Sequence, residues 1–106
     1  MQKQPFSPHY GSGVALAVGV ASSAYALDPK AKNVVVANTG TAVFYVRVGT
    51  GTSPGAGITA ILNTDMPIMP GHAVSLTKAD GQDTLAAIAL AAGGTGNAIC
   101  GEGFMY

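Results

Sequence analysis

The sequence predicts an all-β fold: a single compact β-sandwich, jelly-roll-like, of about seven to eight short strands, with an extended N-terminal arm. Three observations lead there. Runs of β-branched and aromatic residues recur along the chain, divided by turn residues at the roughly 8–12-residue spacing of sandwiches and barrels. Fifteen glycines supply the left-handed conformations that such turns need. A chain of 106 residues fits one domain, which divides into an arm over 1–12 and the sandwich over 13–106.

The arm carries Pro5 and Pro8, which disfavour a regular ladder or helix, together with Phe6 and Tyr10. Large apolar rings gain about 1.5–3 kcal/mol each when buried, so the segment reads as an arm that docks on something. A first strand is expected over 13–22, where Val14, Leu16, Val18 and Val20 alternate with Ala15, Ala17 and Gly19. Alternation of large and small side chains marks a strand packed on one face. The same region could be read as the apolar core of a leader ending at Ala24-Tyr25-Ala26, but the alternation favours the strand, and the run is too short for a transmembrane helix.

A polar turn, Leu27 to Lys32 with Pro29, precedes a second strand over 33–37. Asn38-Thr39-Gly40-Thr41 then separates two β-branched runs, a hairpin signal. In the third strand, over 42–48, Phe44, Val46 and Val48 share the face expected to meet the core. Residues 49–57 hold four glycines and a proline and form a loop. They lack the Gly-Lys-Ser/Thr ending that a phosphate-binding loop requires. A fourth strand is expected over 58–63, with Ile58, Ala60 and Leu62 on one side. Pro67 and Pro70 confine the next piece to a sheet edge or a loop. A fifth strand follows over 72–78, then an Asp80-Gly81 turn.

The segment 84–92 has five alanines, with Asp83 placed as a helix cap and Gly93 as a helix stop. Its shortness and its neighbours favour a strand. Gly93 to Gly96 is expected to be a hairpin loop before a last strand over 97–100.

Composition narrows the function. Five Lys/Arg and five Asp/Glu give zero net charge, and 48% of residues are hydrophobic. So few charges leave a surface that promotes association and suits a subunit packed against neighbours. The basic residues form no stripe, only Lys30 and Lys32 being close together, so no nucleic-acid partner is expected. Cys100 stands alone and reads as a small buried hydrophobe; with His9 and His72 far away it makes no metal spacing, and no cofactor is expected. No triad is evident: His9 lies in the Pro-rich arm and His72 in a turn, and there is no Gly-x-Ser-x-Gly elbow. Asp80 and Asp83 read as a solvated turn with too few oxygens for a calcium site.

The block Asn33–Gly49, the Gly-rich loop, the Asp-x-Pro-x-x-Pro-Gly segment over 65–71, the Ala-rich strand and Gly101-Glu102-Gly103 together resemble small virion structural proteins of tailed bacteriophages, capsid decoration or cementing proteins in particular. The resemblance covers about residues 13–103. It implies a non-enzymatic protein on the outside of an icosahedral shell, often a dimer or trimer, whose partner is the major capsid protein or another virion protein, with no membrane role. The residues expected at its protein interface are Phe6 and Tyr10 at one end and Phe104, Met105 and Tyr106 at the other, since aromatics and Met are enriched in interface cores. A tail, neck or fibre-base subunit is the alternative. A carbohydrate-binding sandwich is a more distant one, with Tyr45 the only plausible platform within a strand.

Overall fold

A computed structural model describes the backbone of residues 7–8 and the whole of residues 13–79 and 81–102. All regular elements among them are strands: β1 Ser7–Pro8, β2 Val14–Val18, β3 Ser23–Ala26, β4 Asn33–Asn38, β5 Phe44–Gly49, β6 Met66–Ile68, β7 Ala73–Thr77, β8 Thr84–Ala89 and β9 Gly94–Glu102. Among the described residues no helix is long and apolar enough to cross a membrane.

The pairing is nested. β2 pairs with β9, β3 with β8, β4 with β7 and β5 with β6, all antiparallel. The chain is thus one long hairpin folded back at the β5–β6 connection. Rolling that hairpin adds two further ladders, β4 with β9 and β5 with β8. The result is two packed sheets. The first runs β2-β9-β4-β7, with β1 beside the far end of β9; the second runs β3-β8-β5-β6. This connectivity is the jelly roll, the double-sheet solution in which strand pairs wrap as a unit.

Between the sheets lie Leu16, Val18, Val34, Val36, Ala98 and Cys100 from the first and Phe44, Val46, Ile68, Leu85, Ala87 and Ala89 from the second. The inward face expected for β5 is therefore the buried one at Phe44 and Val46, with Val48 half-buried at its end. Leu27 and Ala31, from the β3–β4 connection, close one end. Cys100 sits in this core, where burial pushes its thiol pKa up.

Four expectations change. The strand expected over 13–22 is shorter, β2 over Val14–Val18; the chain breaks at 19–22, and the Ala24-Tyr25-Ala26 segment belongs to β3 in the opposite sheet. Asn38–Thr41 is not a hairpin: β4 and β5 lie in different sheets, and the connection crosses between them. The buried Asn38 side chain fixes that crossing. Its amide donates to the carbonyls of Ala42 (2.9 Å) and Ile68 (2.8 Å), and its Oδ1 accepts the Gly40 N–H (3.0 Å). Residues 94–96 are not a hairpin loop either but the start of β9, wedged between β2 and β4. Gly96 is required there, because a Cβ would collide with the Ala37 carbonyl and press on the Phe44 ring.

The fourth change concerns 58–63, which forms no strand. Two of its backbone donors go to side chains: Ser22 Oγ accepts from Ala60 N (2.8 Å) and Asp65 Oδ2 from Ile61 N (2.8 Å). Asn63 adopts a left-handed φ of 63°. The strand is β6, three residues long and at the sheet edge that Pro67 allows. The Ala-rich segment is a strand, ending at Ala89. Its small side chains suit a strand covered on both faces, and packing overrides alanine's preference for helix.

Candidate interaction surfaces

The two sheets present very different outer faces. On the second sheet, Tyr45 and Arg47 point outward, in the rows shared with Ile88 and Ala86 of β8. The β5–β6 connection folds back over them. Tyr45 Oη donates to Asn63 Oδ1 (3.1 Å), and Arg47 grips Asp65 through Nε (3.0 Å) and a second nitrogen (2.8 Å). Since Ala60 is anchored at Ser22, beside β3, and Asn63 and Asp65 at β5, residues 60–65 span β8. This crossing accounts for the complete burial of Ala86, whose row also holds Ala24 and Arg47.

The glycine-rich part of the same connection is pinned at the start of β8. Asp83 accepts the Gly51 N–H (3.1 Å) and faces the Thr84 hydroxyl (3.0 Å), which accepts the Gly55 N–H (3.1 Å). The Gly51 N–H, assisted by Thr84 and by the charge of Lys78, holds the Asp83 carboxyl below the usual carboxylate range.

On the first sheet no described segment crosses the outer face, although Val35 near its centre is only 8% exposed. The outward residues of this sheet follow from the register: Ala15 and Ala17 of β2, Thr95, Asn97, Ile99 and Gly101 of β9, Asn33, Val35 and Ala37 of β4, and Ala73, Ser75 and Thr77 of β7. None of them is charged, and none is larger than Ile99. The hydroxyl of Ser75 is buried with no hydrogen-bond partner among the described residues. A buried polar group without a partner is costly and calls for an explanation.

The remaining polar groups are occupied with holding turns. Lys78, 3% exposed, donates through Nζ to the carbonyls of Gln82 (2.7 Å) and Pro29 (3.2 Å), tying together the turns on either side of β4 and β7. Lys30 and Lys32 line a shallow depression with Pro29 and Gly81. Carboxylates lie beside them: Asp28 accepts the Lys30 N–H and Glu102 the Lys32 N–H. His72 is exposed at the turn before β7, its N–H on the Met69 carbonyl.

The residues expected at an interface, Phe6, Tyr10, Phe104, Met105 and Tyr106, lie outside the described residues, as does Asp80. Tyr45 is half-buried with its hydroxyl spent on Asn63, a poor stacking platform. Sequence reasoning missed the open face of the first sheet, whose signal was visible only after pairing was known: outward positions in β2, β4, β7 and β9 that never carry a charge.

Comparison with protein-family models, with curated proteins and with solved structures found no match for this chain.

Proposed function

We propose that this chain is a non-enzymatic virion structural protein that decorates and cements the outside of an icosahedral bacteriophage capsid, bridging neighbouring major capsid subunits. The observation that carries the reading is the uncharged, small-residue outer face of the first sheet. Such a face can lie flat on another protein without leaving a charge desolvated, the commonest penalty of burying polar surface. The loop-covered second sheet then faces solvent, and it carries the Arg47–Asp65 pair. The bacteriophage resemblance in the sequence supports the same role. On a symmetric shell many copies act together, so each contact need only be weak.

The test is direct. Purified protein is mixed with capsids assembled without it, and occupancy is measured by sedimentation and electron microscopy. Wild type is expected to bind saturably in hundreds of copies, the order expected of a repeating shell, and to raise the temperature at which the capsid opens. Asn97→Lys, which places a charge at the centre of the open face, is expected to lower occupancy at least tenfold, or about 1.4 kcal/mol per site. Absence of binding to any capsid, or binding indifferent to Asn97→Lys, would sink this reading; a dozen or fewer copies at one vertex or on the tail would move the protein to a neck or tail position.

A further inference from the structure

The four sheet edges are not equally open. An unpaired edge offers a row of N–H and C=O groups to another strand, and proteins usually block it. On β2 the Tyr25 hydroxyl, reaching over from β3, takes both groups of Ala17: it accepts from the amide (3.1 Å) and donates to the carbonyl (3.0 Å). On β6 Pro67 has no N–H to offer. On β3, four residues long, the 50–57 loop crowds the end, Gly55 lying so near that a Cβ there would stand 3.1 Å from the Ala26 nitrogen.

β7 has none of these devices. Asn38 N donates to the His72 carbonyl and Lys78 N to the Lys32 carbonyl, so the even-numbered residues of β7 face β4. In an antiparallel ladder the intervening residues face the other way. The N–H and C=O groups of Ala73, Ser75 and Thr77 therefore point out of the sheet, and no described residue bonds them. The strand contains no proline, no glycine and no charge. Ser75, whose buried hydroxyl has no partner, sits at its centre.

We infer that β7 pairs edge to edge with β7 of a second copy of this chain, antiparallel about a two-fold axis through Ser75. The chemistry matches at every row of that register. Ser75 meets Ser75 of the other copy, giving each unpartnered hydroxyl a mate. Ala73 meets Thr77 on the outer face, and on the inner face Val74 meets Leu76, both already packed against the core. A two-fold interface has to be complementary to itself in this way, and an uncharged strand meets no like charge across the axis. Each of the three outward residues exchanges two backbone bonds with its opposite number. The first sheets of the two copies become one continuous sheet, and their open outer faces form a single surface twice as wide. A five-residue edge buries much less than the roughly 800 Å² per partner of a standard interface, so the pairing is reversible and depends on concentration. It concerns the protein alone in solution and stands or falls independently of any capsid.

The test is sedimentation equilibrium of the purified chain over a dilution series, with circular dichroism to confirm the fold. Wild type is expected to show a reversible monomer–dimer equilibrium. Ser75→Pro removes the central N–H where an edge strand tolerates proline and is expected to leave a folded monomer. Should that variant fail to fold, Ala73→Lys/Thr77→Lys gives the answer: it puts like charges opposite at both ends and is expected to weaken the dimer about tenfold. Ala73→Lys/Thr77→Glu, which sets opposite charges across the same rows, is expected to restore it. A wild-type chain that stays monomeric throughout overturns the assignment and leaves the edge to a foreign strand; a dimer indifferent to all these variants overturns it as well.

Discussion

The outer faces of the two sheets differ in what covers them, and the difference begins with one connection. Sixteen residues, 50–65, join β5 to β6, and they fold back across the second sheet. They can do so because the positions beneath are small, Ala24, Ala86 and Gly49, and because Arg47 and Tyr45 hold the connection from below. No described segment crosses the first sheet, although its outward side chains are just as small. The same architecture thus yields one face covered by its own connection and one that is uncharged and crossed by no described segment. Small side chains on an outer face invite a cover; whether the cover comes from the chain or from another molecule depends on what the adjoining connections can reach.

The sharpest way to break the comparison is to make the same substitution on each face. Ala86→Leu forces three heavy atoms into a fully buried site under the 60–65 crossing and is expected to cost about 1–3 kcal/mol, more if the connection cannot shift. Ala37→Leu, at the middle of the open face, is expected to change stability by no more than about 0.5 kcal/mol. Urea unfolding of the two variants measures both. Equal effects would mean that the connection does not cover β8 in solution.

A smaller effect comes from releasing the cover without disturbing the sheet. Asp65→Ala removes the acceptor for Arg47 and for the Ile61 amide. Arg47 is 40% exposed, so water screens the ion pair, and most of the loss comes from the backbone bond. The expected cost is about 1 kcal/mol. Hydrogen exchange provides the discriminating readout: the amides of Ala60 and Ile61 are expected to speed up while those of β4 and β9 stay protected.

How much of this was legible beforehand follows from what period-2 patterns encode. The runs at 33–37 and 42–48 declared themselves by β-branched content or alternation, and the inward face at Phe44 and Val46 followed; the Ala-rich run over 84–92 could be read as helix or strand and was settled only by its shortness and its neighbours. Pairing did not. Asn38–Thr41 and Gly93–Gly96 carry the turn residues of a hairpin, yet the same residues serve a crossing between sheets. What distinguishes the crossing is long-range: the Asn38 amide finds the Ile68 carbonyl thirty residues away. The alternation of Ile58, Ala60 and Leu62 imitated a strand, but the chain turns at 62–64, where the Ile61 carbonyl accepts from the Thr64 and Asp65 amides and Asn63 takes a left-handed φ of 63°. The open edge of β7 was invisible for the same reason as the pairing. A strand is an edge only relative to its neighbours, and no local signal reports it.

Acid should act on one face only. The lowered pKa of Asp83 means that the folded chain holds this proton less tightly than the unfolded chain does. The stabilisation is therefore complete above the ordinary carboxylate range near about 4 and is lost as pH falls through the lowered native value. Protonation weakens the acceptor for the Gly51 N–H, one of the bonds that hold the 50–57 loop against β8. Limited cleavage by an acid-active protease is expected to appear within 50–57 as pH drops through that window. The outward positions of β2, β4, β7 and β9 carry no titratable group, so the exchange protection of the β4 and β9 amides is expected to hold over the same range once the intrinsic pH dependence of exchange is removed. Asp83→Asn keeps the shape and removes the titration. It is expected to make cleavage in 50–57 independent of pH, and a wild-type loop that resists cleavage throughout the window would show that Gly51 is held by something other than this carboxylate.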